Sequence, residues 1–587
     1  MSRRRVAITG LGIISPVGNS VADAWASLLA GRSGIGPVTR FDASSFPTRI
    51  AGEVKGFDVS AWMSPKEARH FDTFIHYGVA ASIQAWADSG LSVDQVPADR
   101  VGCLVGSGIG GLPMIEDTHC EYSARGVRRI SPFFVPGSII NMISGQLAIM
   151  LGLKGPNLSI VTACTTGLHS IGMAARMIGY GDADVMLAGG AESTISPLGL
   201  GGFCAARALS QRNDDPQAAS RPWDRDRDGF VLGEGAGVMV LEAFDQAKQR
   251  GAKIYAELLG FGMSGDANHI TSPSTDGPKR CMQLALADAK LSGDAIDYLN
   301  AHGTSTELGD KNESDAIKLA FGEDCARRLA INSTKSMTGH LLGGAGGIET
   351  VFTALAIHHQ VSPPTINIDH QDPACDLDYV ANQARSMTIQ HAMKNSFVWC
   401  WVVSESQHPI GGELPLGACS AVQLILAIVT KQRGAPRAQA HDGAQQEPML
   451  PHAHKLQPNP HDPRVPYVPH DPRVQHDPNL FVEGWMRPIG PGRCAIRFPD
   501  QRSKHHNASC EADPTLWSLE SFLRSFAAPG VSHCDNIGLG IGCRRHHGTV
   551  CGVGWFGPDD ALKRSVNVIV KAIRISPRNI TTGLHNP

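Results

Sequence analysis

Residues 1–397 predict an α/β fold in which mostly parallel sheets are covered by helices on both faces. Three observations carry that expectation. Apolar strand-like runs alternate with stretches of helical periodicity along this whole part. The runs are apolar on both faces, as doubly covered strands are. Polar and glycine-rich motifs follow the ends of the runs, where such folds place ligands.

The elements follow in chain order. Residues 5–12 read as a buried strand ending in glycine, and 22–30 as a short helix closed by Gly31. Residues 101–105 read as a second strand opening into Gly106-Ser107-Gly108-Ile109-Gly110-Gly111. A strand over 158–162 runs into Ala163-Cys164-Thr165-Thr166-Gly167. A helix to about 179 follows, with Leu168, Ile171 and Ala175 at helical spacing. Residues 185–188 and 235–241 are strands, and 256–262 begins a second series. One strand ends in Leu299-Asn300-Ala301-His302-Gly303-Thr304. Another, over 330–333, precedes Thr334-Lys335-Ser336-Met337-Thr338-Gly339-His340. The next helix carries Ile348, Phe352 and Leu355 on one face.

A length of 587 residues suggests three or four domains of chain, or one large body with extensions. The net charge of −3 does not favour a whole-chain polyanion-binding role. The most apolar run, 419–430, contains Gln423 and falls short of the roughly 20 residues a membrane span needs. The start, Met1-Ser2-Arg3-Arg4-Arg5, leads directly into a strand and lacks the apolar run of a secretory signal. Fourteen cysteines without regular spacing do not form a disulfide framework, so reduced, cytoplasmic thiols are expected.

The composition changes near residue 397. The last 190 residues hold 13 of the 24 histidines and 20 of the 37 prolines. His461-Asp462-Pro463-Arg464-Val465 returns as His470-Asp471-Pro472-Arg473-Val474 and again as His476-Asp477-Pro478. Proline at that density blocks helices and sheet ladders, so about 430–480 reads as linker. Residues 481–587 carry apolar patches, such as 566–575, but no chemistry that can be named.

Cys164 lies where a strand passes into a helix. A helix N-terminus favours thiolate, which makes Cys164 a candidate nucleophile. A buried, inert cysteine is the equal alternative. His302 and His340 each follow a strand and are flanked by glycine and hydroxyl residues. One such histidine is more often structural, but two beside a strand-end cysteine fit a catalytic set. No close ligand pair supports zinc, and no local signature supports a cysteine protease. The glycine runs at 106–111 and 343–347 lack the lysine of a phosphate loop and the dinucleotide fingerprint, so they read as close backbone packing.

Taken together, the motifs resemble the β-ketoacyl-acyl carrier protein synthases, specifically the type II condensing enzymes. The resemblance covers residues 4–397. It rests on Val6-Ala7-Ile8-Thr9-Gly10-Leu11-Gly12, Ile130-Ser131-Pro132-Phe133-Phe134-Val135-Pro136 and Thr162-Ala163-Cys164-Thr165-Thr166-Gly167. It continues through Arg221-Pro222-Trp223-Asp224, Asp228-Gly229-Phe230-Val231-Leu232-Gly233-Glu234-Gly235, His302-Gly303-Thr304-Ser305-Thr306 and Lys335-Ser336-Met337-Thr338-Gly339-His340.

The resemblance implies a thiolase-like, five-layered αβαβα body of two similar halves, 1–253 and 254–397, followed by a largely irregular extension, 398–587. It implies a homodimer and a decarboxylative condensation of an acyl thioester with malonyl-acyl carrier protein in fatty acid biosynthesis. Cys164 would take the acyl group. His302 and His340 would donate hydrogen bonds to the enolate formed as carbon dioxide leaves. Lys335 and Glu349 would support the histidines, and Phe230 would wall the malonyl carboxylate. Ile109, Thr304 and Phe397 would contact substrate. Lys66, Arg69, Arg128, Arg129 and Arg207 would attract the acidic acyl carrier protein, in its acyl and malonyl forms. No metal, cofactor, nucleic acid or membrane is implied, and the setting is cytoplasmic.

The resemblance stops after Asn395-Ser396-Phe397. The family continues there with a glycine-rich loop holding a gate phenylalanine and an oxyanion-hole amide, then a closing strand. Here the chain reads Val398-Trp399-Cys400-Trp401-Val402-Val403-Ser404. A change of reading frame at this codon is the expectation. Residues 399–403 suit the closing strand, and an open sheet edge follows if they do not pair. A catalytically impaired relative and a non-decarboxylating thiolase-type acyltransferase are the alternative functions.

Overall fold

The structure is a computed structural model that describes residues 3–92, 94–267, 274–397, 420–427, 539–542 and 552–555. The apolar run that opens the chain forms strand β1 (Val6–Ile14), buried along its whole length. Four more strands complete the first half: β2 (Val101–Gly106), β3 (Asn157–Leu158), β4 (Val185–Glu192) and β5 (Gly235–Ala243). The second half contributes β6 (Ala256–Gly265), β7 (Tyr298–Asn300), β8 (Ala330–Asn332), β9 (His391–Phe397) and β10 (Ser420–Ala427). Six helices matter for the site: α1 (Thr73–Ser89), α2 (Leu112–Arg125), α3 (Thr166–Tyr180), α4 (Asp276–Ala289), α5 (Glu307–Phe321) and α6 (Ala345–His359).

The halves repeat one topology. The first runs β3-β2-β4-β5-β1 and the second β8-β7-β9-β10-β6. In both, the first three strands are parallel and the fourth is antiparallel to its two neighbours. A short antiparallel ladder between β1 and β6, Val6 to Ile8 against Leu258 to Ala256, joins them into one ten-stranded order.

Helix α1 packs on one face of the first half's sheet, while α3 and α6 pack on the other and also against each other. Helix α6 additionally meets β9, and α4 covers β6 and β10, with α5 beside it. The result is the expected αβαβα layering. Every residue from Ala345 to Ile357 of α6 is buried, as a helix between two sheets requires. The glycines allow this packing. A Cβ on Gly167 would lie 2.6 Å from the Gly347 backbone nitrogen, so α3 and α6 meet backbone to backbone.

Three sequence expectations change. The sheet is mixed rather than mostly parallel, because β5 and β10 run against their neighbours. The strand expected over 158–162 shrinks to Asn157–Leu158 at the sheet edge, where both residues are exposed. The closing strand is β10, taken from the 419–430 apolar run, and it fills the place that β5 holds in the first half. The second half's sheet therefore reaches past residue 397 and has no open edge beside β9. The expectations for 398–404, 430–480 and 566–575 lie outside the described residues. The chain divides into units Met1–Asp442 and Gly443–Pro587. In the second, β11 (Leu539–Gly542) pairs antiparallel with β12 (Gly552–Trp555).

Candidate active site

Cys164 occupies a tight turn, Ala163–Thr165, immediately before α3. Ala163 has φ +48°, a left-handed conformation that costs a residue with a Cβ roughly 1–2 kcal/mol. Local hydroxyls fasten the turn. Thr165 Oγ1 donates to the Thr162 carbonyl at 2.7 Å, and Thr166 Oγ1 accepts from the Thr162 amide at 2.8 Å. The Cys164 carbonyl accepts a hydrogen bond from Ser396 Oγ at 2.8 Å. The cysteine is buried among Phe230, Leu209 and Leu342.

His302 leaves the end of β7. Its amide and that of Gly303 donate to the buried Glu313 carboxylate on α5, at 2.8 and 2.7 Å. Burial pushes the Glu313 carboxyl up, opposed by those donors. His340 follows Gly339 (φ +69°), whose conformation suits glycine. Its amide donates to the Val231 carbonyl at 2.7 Å, and its carbonyl accepts from Gly233 at 2.9 Å. The backbone amide of Leu342 donates to His340 Nδ1 at 3.3 Å. A neutral His340 therefore carries its proton on Nε2.

The two imidazoles meet edge to face, with centroids 5.2 Å apart. Burial drives both well below the ordinary histidine range, and the Lys335 and Lys394 ammonium groups add to the effect. Both are therefore neutral at pH 7. Among the described residues, both ring nitrogens of His302 and Nε2 of His340 are buried without a hydrogen-bond partner. Such atoms are rare in native structures and mark a place for a ligand.

Phe230 stands edge-on to His340 at 5.4 Å, and Phe397 edge-on to His302 at 5.7 Å. Glu349 sits inside α6, with Lys335 Nζ 2.5 Å from Oε1 and Lys394 Nζ 2.8 Å from Oε2. The second contact is an ion pair without the alignment of a hydrogen bond. A cavity of about 640 Å³ opens over Cys164, His302, His340, Phe230, Thr304 and Arg207. Thr304 Oγ1 lies 2.9 Å from Thr306 Oγ1 on its wall.

The remaining expected residues lie apart from this centre. Ile109 is 40% exposed and is not among the residues lining the cavity. Its amide instead meets Glu192 at 3.3 Å, together with those of Gly108 and Gly343. Burial raises the Glu192 carboxyl to about 7, against those donors and Ser107. Lys66, Arg69, Arg128, Arg129 and Arg207 are all exposed. Of these five, Arg207 alone lines the cavity. His70 stacks on Phe133 at 3.6 Å, which sets the segment bearing Lys66 and Arg69 against the one that follows Arg129.

Sequence reasoning missed Glu192, Glu313, Lys394 and Ser396. Glu192, Lys394 and Ser396 stand in buried strands, and a charge or hydroxyl there is the signal that could have found them, whereas Glu313 lies in the polar sequence of α5 and gives no such signal.

The duplicated sheet around two buried central helices defines the thiolase-like class of α/β proteins. Comparison with known proteins narrows that class. The family described as "Beta-ketoacyl synthase, N-terminal domain" matches residues 3–247, and "Beta-ketoacyl synthase, C-terminal domain" matches 255–369. The chain belongs to the β-ketoacyl synthase family. It is 57% identical over 399 residues to a Vibrio harveyi protein named 3-oxoacyl-[acyl-carrier-protein] synthase 2, covering 68% of this chain and 96% of that protein. A Coxiella burnetii protein of the same name shares the same identity and coverage. Among solved structures, a β-ketoacyl synthase from Burkholderia phymatum is 35% identical with a TM-score of 0.66, covering 73% of this chain and all of that one. A type II PKS acyl-carrier protein in complex with its ketosynthase gives 33% and 0.65, at the same coverage.

Proposed function

We propose that the chain is a 3-oxoacyl-acyl carrier protein synthase of fatty acid biosynthesis, a transferase acting by decarboxylative condensation. One observation carries this reading: Cys164, at the start of α3, shares a cavity with two neutral histidines whose Nε2 atoms have no hydrogen-bond partner among the described residues. The names of the relatives agree with it.

In this reading the Cys164 sulfur attacks the acyl thioester carbonyl. A new carbon–sulfur bond forms, and the carrier leaves as its thiol with the cysteine proton. Malonyl-carrier thioester then occupies the cavity. Its carboxylate leaves as carbon dioxide, and the bonding pair moves into an enolate. His340 Nε2–H and a ring N–H of His302 donate to the enolate oxygen. The enolate carbon attacks the acyl carbonyl and expels the Cys164 thiolate, which takes a proton from solvent. The products are 3-oxoacyl-carrier and carbon dioxide. Phe230, against His340, offers the departing carboxylate an apolar wall. Lys335 and Glu349 support the histidines. Thr304 and Phe397 contact the thioester arm, and Ile109 bears on the acyl chain.

The same proposal divides the chain into a nucleophile half (1–253), a two-histidine half (254–397, completed by β10) and the tail (398–587). Lys66, Arg69, Arg128, Arg129 and Arg207 would receive the acidic carrier protein, and a ketosynthase neighbour solved with its carrier supports such a partner. A homodimer fits the exposed edge strand β3 and the exposed apolar residues near it in sequence, Phe133, Val135, Ile149 and Val161. Among the described residues, no helix is long and apolar enough to cross a membrane. A cytoplasmic setting belongs to the proposal.

Intact-mass spectrometry after incubation with acyl-carrier protein tests the first step. The expected result is one acyl adduct on Cys164, absent in Cys164→Ala. An adduct elsewhere, or none, contradicts the assignment.

A further inference from the structure

Strand β9 carries three consecutive buried polar residues, and each is tied to a different part of the site. Ser396 holds the Cys164 carbonyl. Asn395 faces the other way, and its Nδ2 donates to Glu313 at 3.2 Å beneath the His302 loop. Lys394, two residues before Ser396 and so on the same face, reaches Glu349. Its register partner on β7 is Asn300, two residues before His302. The ammonium also donates to the Asn395 carbonyl and lies 3.5 Å from that of Ala301.

Lys394 is wholly buried, at 0% exposure. Burying an ammonium is costly unless it is paired. Lys335 already pairs with Glu349 at 2.5 Å, so a neutral cluster needs no second lysine. The chain nevertheless places one there. Two ammonium groups on one carboxylate give the cluster a net positive charge beside the imidazoles.

We propose that Lys394 is a positioning residue for the condensation, a second buried ammonium that holds Glu349 opposite Lys335 and presents net positive charge to His302 and His340. The inference rests on the decarboxylative reading above. The charged and titratable groups around Lys394 are Glu349 of α6, Lys335 of the turn after β8, Glu313 of α5, Tyr298 of β7, and the two histidines. Strand β10 brings no titratable residue. Burial lowers the Lys394 ammonium to about 8, with Glu349 opposing, so it is mostly charged at pH 7.

The consequence is chemical. A positive cluster keeps both imidazoles uncharged, and a neutral His340 presents Nε2–H to the cavity. An imidazolium would attract the malonyl carboxylate in the ground state and oppose its departure. Removing the Lys394 charge lets the histidines protonate at higher pH.

The test is the pH profile of carbon dioxide release from malonyl-carrier protein by the full chain. In Lys394→Met the acid limb moves up by roughly one pH unit relative to the parent. If that variant does not fold, Lys394→Gln, which can still donate to the neighbouring carbonyls, takes its place. Histidine ionisation followed by NMR in the same variant should move the same way. An acid limb and imidazole ionisation unchanged from the parent overturn the proposal for Lys394. A parent protein that releases no carbon dioxide overturns the decarboxylative reading instead.

Discussion

The Ser396 hydroxyl donates to the backbone carbonyl of Cys164 at 2.8 Å, across 232 positions of chain. This one bond ties strand β9 of the second half to the nucleophile turn of the first. It also accepts strain nearby, since Ala163 sits at φ +48° one residue away.

Ser396→Ala should therefore leave the Cys164 carbonyl without that partner. A lost buried hydrogen bond of this kind costs about 1–3 kcal/mol. Denaturant unfolding should show that loss. The rate of Cys164 acylation should fall several-fold, because the turn is less firmly held.

The Glu349 cluster predicts an asymmetry between its members. Lys335→Met leaves Glu349 with Lys394 as a partner. Glu349→Gln leaves two buried ammonium groups facing each other without their carboxylate. Breaking a buried pair from one side costs roughly 3–5 kcal/mol. Unfolding measurements should rank Glu349→Gln as clearly the more damaging of the two.

The histidines give the stability a definite pH slope. His302 and His340 are lowered in the folded chain, chiefly by burial, so below about pH 6.5 the unfolded chain binds more protons. His169, lowered to about 4 by burial, acts in the same sense. Each of these histidines contributes stability that rises with pH up to about 6.5, by about 1.4 kcal/mol per pH unit, while the raised carboxyls of Glu192, Glu313, Asp310 and Asp72 contribute in the opposite sense over the same range. Replacing His340 by Asn should make the slope measured by urea unfolding between pH 5 and 6.5 less positive than the parent's.

Arg207 is exposed and lines the cavity, which makes it the basic residue that most directly tests carrier recognition. Arg207→Glu should raise KM for the carrier substrate several-fold and leave kcat nearly unchanged. The effect should shrink at high salt, since exposed charges are screened.

Strands β1, β2 and β4 to β8 and helices α3 and α6 were legible in the sequence because those strands are doubly covered and nearly free of polar residues, whereas α1, α2, α4, α5 and β9 went unread. Cys164, His302 and His340 were legible because glycines and hydroxyl residues flank them at strand ends. Strand β3 was overestimated, because the apolar residues Leu158 and Val161 serve an exposed edge rather than a buried ladder. Strand β10 was read only as an apolar run too short to span a membrane, because only the sheet topology shows that it pairs between β9 and β6. Lys394 escaped notice because a lysine is ordinarily exposed. Its meaning appears only when α6 brings Glu349 alongside.

The most direct measurement of the central claim is the product balance after mixing the full chain with acyl- and malonyl-acyl carrier protein. The account predicts one 3-oxoacyl-carrier formed for each carbon dioxide released in the condensation, and no 3-oxoacyl-carrier when Cys164 is replaced by Ala. Acylated Cys164 with no 3-oxoacyl product, or product without release of carbon dioxide, would contradict it.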